Sequence, residues 1–171
     1  MNSAKENLSR YIITEKLLNN FFERFNFCYE KCIKIEIKKN YGQPVSACCK
    51  KKYYKLYDLE HPAFELLRIE RETLYGRPID HNFENPVSPC EYHNPQQGCI
   101  IKTHKSPVCL AFMCRESIEE LRERYNIFEY DYLGVNYALE WILTGDFPEK
   151  DYLEFEKSII SMTQRISKNN N

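Results

Sequence analysis

Four cysteines, Cys90, Cys99, Cys109 and Cys114, fall in the stretch CEYHNPQQGCIIKTHKSPVCLAFMC at spacings C-x8-C-x9-C-x4-C. Two histidines, His93 and His104, lie between them. Thiolates are strong ligands for zinc and for iron–sulfur clusters. A loop closed on a metal needs no large core beneath it, because metal binding supplies folding free energy. The pattern therefore predicts a metal centre wrapped by residues 90–114. Zinc ribbons and fingers draw their ligands from close C-x2-C pairs, and this chain has none. Singly spaced cysteines from several loops suit a cubane cluster, which takes one thiolate per iron, and they also allow zinc. An iron–sulfur cluster of the 4Fe-4S type is slightly favoured.

The remaining four cysteines form two pairs. Cys48 and Cys49 are adjacent, so both cannot easily point at one ion from a regular backbone. One ligand and one supporting or packing thiol are expected there. Cys28 and Cys32 are one helical turn apart and share a face. They read as an i, i+4 ligand or redox pair, or as the continuation of an apolar stripe, since free Cys packs as a small hydrophobe. Cys32 and Cys114 are the weaker metal candidates. A Cys–His nucleophile pair would need one activated thiol and a base, and the spacing nominates none. No Gly-rich phosphate loop and no G-x-S-x-G elbow is present.

Composition bounds the class. With 43% apolar and 14% aromatic residues the chain is globular rather than disordered. A net charge of -1 gives no basic bias towards nucleic acid. No run approaches the roughly 18 apolar residues of a membrane helix. The first 18 residues carry charges throughout and no apolar signal core. The chain therefore reads as cytoplasmic. In a reducing compartment eight cysteines are better explained by metal or packing than by disulfides. Were the chain exported, a four-disulfide framework would be the alternative.

The elements that must position these residues are mainly helical. Leu8, Tyr11, Ile12, Leu18, Phe21, Phe22 and Phe25 fall at helical spacing, which predicts a helix over 3–32. Residues 33–39 alternate apolar and charged, as a short strand or a frayed helix end. Tyr41 to Pro44 marks a turn. A helix is expected from Glu60 to Tyr75, with Pro62 in its first turn, Gly76 as its cap, and Phe64, Leu67 and Leu74 buried. His61, at its start, is expected on the surface. Five of the eight prolines lie within 77–107, which excludes regular helix over most of that span. Asn94–Gly98 predicts a turn that brings Cys90 and Cys99 together, with Ile100–Ile101 as a short return strand. Ser117 and Glu120 predict a capping box. Two further helices are expected, one near Tyr132–Leu143 ending at Gly145. The other opens at Pro148, with Tyr152, Leu153, Ile159, Ile160, Met162 and Ile166 on its core face. The expected fold is thus mainly α: a small helical domain with a Cys/Pro-rich irregular metal-binding loop and little or no β. One domain spans 1–171, its cysteine core at about 44–114 between helical flanks at 1–40 and 116–167.

CEYHNPQQGCIIKTHKSPVC resembles the C-terminal half of the CxxCxxCC family, also called YkgJ-like cysteine cluster proteins. Cys90, Cys99, Ile101, Pro107, Val108 and Cys109 match its pattern, with Cys114 as the trailing cysteine. Ser46-Ala47-Cys48-Cys49 resembles the family's G-A-C-C. The resemblance covers about residues 44–114 and implies a zinc- or iron-chelating domain with Cys48, Cys49, Cys90, Cys99 and Cys109 as its thiols. The chain departs from the family at Val45, where the first cysteine of C-x-x-C-C falls, and at Ser106, where an Arg precedes the proline. A similar cysteine core occurs in the flagellin lysine methylase family, whose chains are much longer and whose activity is not carried over. The reading is a metal-binding protein with a structural or redox role. The alternatives are an enzyme using the cluster for redox or protein modification, and a metal-free interaction protein with core cysteines. No partner, membrane or nucleic acid among them, is implied.

Overall fold

The computed structural model describes residues 3–43, 53–55, 60–78, 90–94 and 98–170. Helix α1 (Ala4–Arg24) starts at a capping box in which Ser3 and Glu6 satisfy each other's backbone N–H. Its stripe buries Leu8, Tyr11, Leu18 and Phe21. The predicted helix over 3–32 is interrupted. Phe25 leaves helical geometry, and the chain resumes as a π-helical turn, Cys28–Ile33. That turn runs directly into α2 (Lys34–Lys39), so residues 33–39 are helix and not strand. Tyr41 and Gly42, both at positive φ, make the turn beyond it.

Helix α3 (Pro62–Tyr75) starts two residues after the expected Glu60 and ends at Tyr75 as expected, with Gly76 at φ 80° as its cap. His61 caps the other end, its Nδ1 accepting the Ala63 N–H at 3.2 Å. Phe64 and Leu67 are buried, but Leu74 is 57% exposed. The stripe instead continues from Leu67 to Arg71, one turn on, which is 3% exposed.

Strands β1 (His93–Asn94) and β2 (Gly98–Cys99) pair antiparallel, with His93 opposite Cys99. The pairing flanks the expected Asn94–Gly98 turn, whose residues 95–97 lie outside the described residues. The return strand is Gly98–Cys99, two residues earlier than Ile100–Ile101. The short helix α4 (Pro107–Ala111) was not anticipated, although Ser106 and Pro107 are an N-cap and first-turn proline.

Helix α5 (Arg115–Tyr125) is capped by Cys114, three residues before the expected cap. Ser117 is inside it, fully buried, and its hydroxyl donates to the Cys114 carbonyl at 2.8 Å, so the Ser117–Glu120 capping box does not form. Helix α6 (Tyr132–Thr144) ends at Gly145, φ 81°. A Cβ there would stand 2.7 Å from the Asn7 amide nitrogen. That amide donates to the Leu143 carbonyl at 3.1 Å and ties α1 to the end of α6. Helix α7 (Glu149–Asn169) has Pro148 as its N-cap and runs two residues past the expected flank end at 167. Tyr152, Ile159, Met162 and Ile166 face the core, whereas Leu153 and Ile160 are 46% and 42% exposed.

The fold is therefore mainly α, with one two-stranded ladder among the described residues. Helix α1 lies against α3, α6 and α7, and α4 lies against α6. Their side chains form one large core, where each fully buried Leu, Ile or Phe contributes about 1.5–3 kcal/mol. A second, small cluster gathers Tyr54, Cys90, Tyr92 and Ile101, with Cys109 packed against it. Among the described residues no helix is long and apolar enough to cross a membrane.

Candidate metal centre

Three of the predicted thiols reach one place by three local devices. Cys90 precedes the ladder, and its carbonyl accepts the His93 N–H at 2.8 Å. Cys99 sits on β2 opposite His93. The Ile100 N–H donates to the Tyr92 carbonyl at 3.0 Å, just outside this pair. His93 and Cys99 are therefore a non-hydrogen-bonded pair, the close kind, with Cα atoms about 4.5 Å apart. Cys109 rides on α4, where its N–H donates to the capping hydroxyl of Ser106 at 3.3 Å. The same hydroxyl donates to the Tyr53 carbonyl in a short bond, which fastens residues 53–55 to α4.

Cys90, Cys99 and Cys109 line one cavity of about 200 Å³. Its other walls are Tyr53, Tyr54, Ile101, Lys105 and Phe112. Tyr53 packs on Phe112 at 4.8 Å, and Tyr54 meets Tyr92 edge to face at 5.0 Å. Burial pushes the Cys109 thiol up to about 11, against the Ser106 hydrogen bond and the positive charges of Arg71 and Lys105. With no cation bound it is a neutral thiol at physiological pH, which makes it a poor nucleophile. A bound cation would reverse that balance, because metal ligation takes the thiol's proton. Among the described residues no three His, Cys, Asp or Glu groups close on the position of a single ion.

The segment after Cys99 is clamped from α1 and α3. The Glu15 carboxylate, fully buried, accepts the His104 and Lys105 N–H groups at 2.8 and 3.1 Å. Burial raises its pKa, and these two bonds oppose the rise. The Tyr11 hydroxyl donates to the Lys105 carbonyl at 2.6 Å. The Tyr75 oxygen accepts the Lys102 and Thr103 N–H groups. His104 sits at φ 63°, a region that costs a non-glycine residue about 1–3 kcal/mol. Its Nε2 meets Glu70 at 2.9 Å and its Nδ1 meets Thr103 at 3.0 Å. Both ring nitrogens are thus engaged, and His104 faces neither a ligand role nor a base role. His93 differs: its Nε2 is buried without a hydrogen-bond partner.

The weaker candidates lie elsewhere. Cys114 caps α5, and its thiol donates to Ser117 at 3.5 Å. Cys28 and Cys32 are half-buried on the π-helical turn. Burial and the nearby negative groups of Cys114 and Glu116 raise the Cys32 thiol pKa. None of these three lines the cavity. Cys48 and Cys49 lie outside the described residues.

Sequence reasoning missed the aromatic walls and Arg71. Tyr53, Tyr54 and Phe112 carry no spacing signal. Arg71 did: it interrupts the apolar stripe of α3 one turn after Leu67. Comparison with protein-family models, with curated proteins and with solved structures gives no significant match.

Proposed function

We propose that this protein holds a metal centre in the thiol-lined cavity, an iron–sulfur cluster or a zinc ion, with a structural or redox role. Cys90, Cys99 and Cys109 are its ligands, and Cys48 or Cys49 supplies the fourth. The observation that carries the reading is the shared cavity. Three thiols from a loop, a strand and a helix face one volume, although they are nine and ten residues apart in sequence. Cys49 precedes Tyr53 by four residues, and Tyr53 is a wall of that volume.

The donor set fits such a group. It is sulfur-rich and walled by aromatic rings, with Lys105 in its lining and the Arg71 charge near Cys109. His93, across the ladder from Cys99 with its Nε2 unpartnered, is an additional nitrogen donor beside the thiols. Bound zinc would tie the loop to α4, and an iron cluster would add one-electron chemistry. The protein's own residues hold the thiols in register and supply positive charge. Singly spaced ligands from separate elements favour the cluster. The resemblance to the cysteine cluster family supports the same ligand set. A reducing, cytoplasmic setting keeps these thiols available.

Elemental analysis and an absorption spectrum of protein purified without oxygen test the reading. Iron with sulfide and a broad visible band means a cluster. One zinc per chain without colour means a structural site. Protein that holds neither, and takes up neither on reconstitution, overturns the proposal.

A further inference from the structure

Helix α6 turns a row of large apolar side chains to solvent. Leu133, Tyr137 and Trp141 recur every four residues, so they form one ridge, and they are 50%, 53% and 51% exposed. The buried residues of the same helix, Val135, Leu139 and Ile142 among them, face the core instead. Single exposed apolar side chains need no explanation, whereas a contiguous row of them marks a contact surface. The ridge borders a groove of about 260 Å³ between α6 and α7. Gly134 and Ala138, four residues apart and small, let the groove cut into α6, and Met162 of α7 closes it below. Trp141, Phe147 and Phe155 wall it, with Trp141 leaning on Phe147 at 6.2 Å and Phe147 on Phe155 at 6.0 Å. Trp141 thus belongs to both ridge and groove.

The segment that builds the ridge is acidic. From Asn126 to Glu149 the chain carries Glu129, Asp131, Glu140, Asp146 and Glu149, and no Lys, Arg or His. Asp131 accepts the Leu133 and Gly134 N–H groups, and Glu140 accepts the Asn136 amide, donors that leave a carboxylate its charge. Arg165 of α7 pairs with Glu129, and Arg10 of α1 with Glu149. A two-fold contact between copies would set this acidic ridge against itself, and like charges facing each other across an interface are costly. An apolar ridge and groove flanked by carboxylates are instead complementary to an amphipathic helix with basic flanks.

We propose that the groove between α6 and α7 is a docking site for an amphipathic helix of a partner protein, apolar along one face and flanked by Lys or Arg. The groove shares no lining residue with the thiol-lined cavity, so the inference stands apart from the metal-site reading.

Trp141 is the chain's single tryptophan, so its fluorescence reports on this site alone. The full-length protein is titrated with a synthetic amphipathic helix of Leu and Lys, and with its counterpart of Leu and Glu. The Leu/Lys peptide shifts Trp141 emission to shorter wavelength and shields it from acrylamide, and the Leu/Glu peptide does neither. Tyr137→Ala weakens binding about tenfold, as loss of an aromatic anchor does. Asp131→Asn with Glu140→Gln weakens it about 3–10-fold, as loss of rim charges does. Thermal melts establish that each variant is folded, and Leu133→Ala replaces Tyr137→Ala if that variant is not. Unchanged affinity in the folded variants overturns the inference, as does equal binding of the two peptides or binding of neither. Trp141 already shielded from acrylamide in the protein alone also overturns it, because another part of the chain would then cover the ridge. So does an emission shift that follows protein concentration, which would assign the face to a second copy. A shift with zwitterionic lipid vesicles and none with the Leu/Lys peptide would assign it to a membrane surface and overturn it too.

Discussion

Cys28 and Cys32 are neighbours in sequence, and Cys90, Cys99 and Cys109 are not. Yet the distant set meets around one cavity, while the near pair sits half-buried on the π-helical turn away from it. Cys114 sharpens the contrast. It lies five residues from Cys109 but caps α5 and hydrogen-bonds Ser117 instead. The difference lies in what holds each thiol. The cavity cysteines are fixed by a ladder, a capped helix and a clamped loop, each tied to another part of the chain. The pair on the turn shares one local element, one helical turn apart. Convergence is thus a property of tertiary ties and not of spacing.

The largest expected effect breaks the cavity set directly. Cys90→Ser loses the metal and destabilises the loaded protein by several kcal/mol, on the order of the folding energy a structural metal contributes. Metal content per chain and urea unfolding with the metal present measure both. Retained metal at wild-type stability would remove the cavity thiols from the site.

The next effect acts through the clamp. Tyr11→Phe leaves the Lys105 carbonyl without its donor in a buried setting and costs about 1–3 kcal/mol. Urea unfolding reads the loss. The variant also lets the 102–105 segment move, so Cys109 and Cys99 alkylate faster in the metal-free protein while Cys28 and Cys32 do not change. Equal acceleration at all four would erase the distinction between the sets.

Much of this arrangement was legible in the chain. The helices followed from apolar spacing and from Pro62, Gly76, Gly145 and Pro148 at their ends. The ladder flanks the predicted Asn94–Gly98 turn, and three of the thiols singled out by their chemistry line one cavity. What was not legible depends on long-range ties. Nothing in the local sequence says that Glu15 will reach the amides of His104 and Lys105. The outward rotation of Leu74, Leu153 and Ile160 is likewise decided by which neighbours arrive. Ser117 read as a cap because its local pattern fits one, but burial against the Cys114 carbonyl moved the helix start upstream.

Glu15 itself provides a pH test. Its folded pKa is raised, so the folded chain holds the proton more tightly than the unfolded chain does. This contribution to stability is full below the ordinary 4.5, falls as pH rises towards the raised folded value, and is gone above it. Glu15→Gln removes that slope. Urea midpoints of both proteins from pH 4 to 8 should converge or cross in that window. Parallel curves would mean that Glu15 does not titrate with folding.

The smallest effect belongs to the near pair. Cys32→Ser changes stability by about 0.5 kcal/mol or less and leaves metal content at the wild-type level, as for a half-buried position that does not line the cavity. Thermal melts and metal analysis decide it. Loss of metal in this variant would move the fourth ligand to the π-helical turn.

The ties from α1 to the thiol segment also set an order of events. Tyr11 meets Lys105 across 94 residues, and Glu15 meets His104 across 89. Contacts of such separation carry a loop-closure cost that local helix formation does not. During synthesis α1 leaves the ribosome first and waits while about ninety residues follow, at roughly 5–20 residues per second. For those seconds the clamp has no partner, and Cys48, Cys49, Cys90 and Cys99 emerge before the wall that α4 contributes. The nascent chain therefore passes through an interval in which its thiols are open to solvent, and the last residues of the segment close that interval.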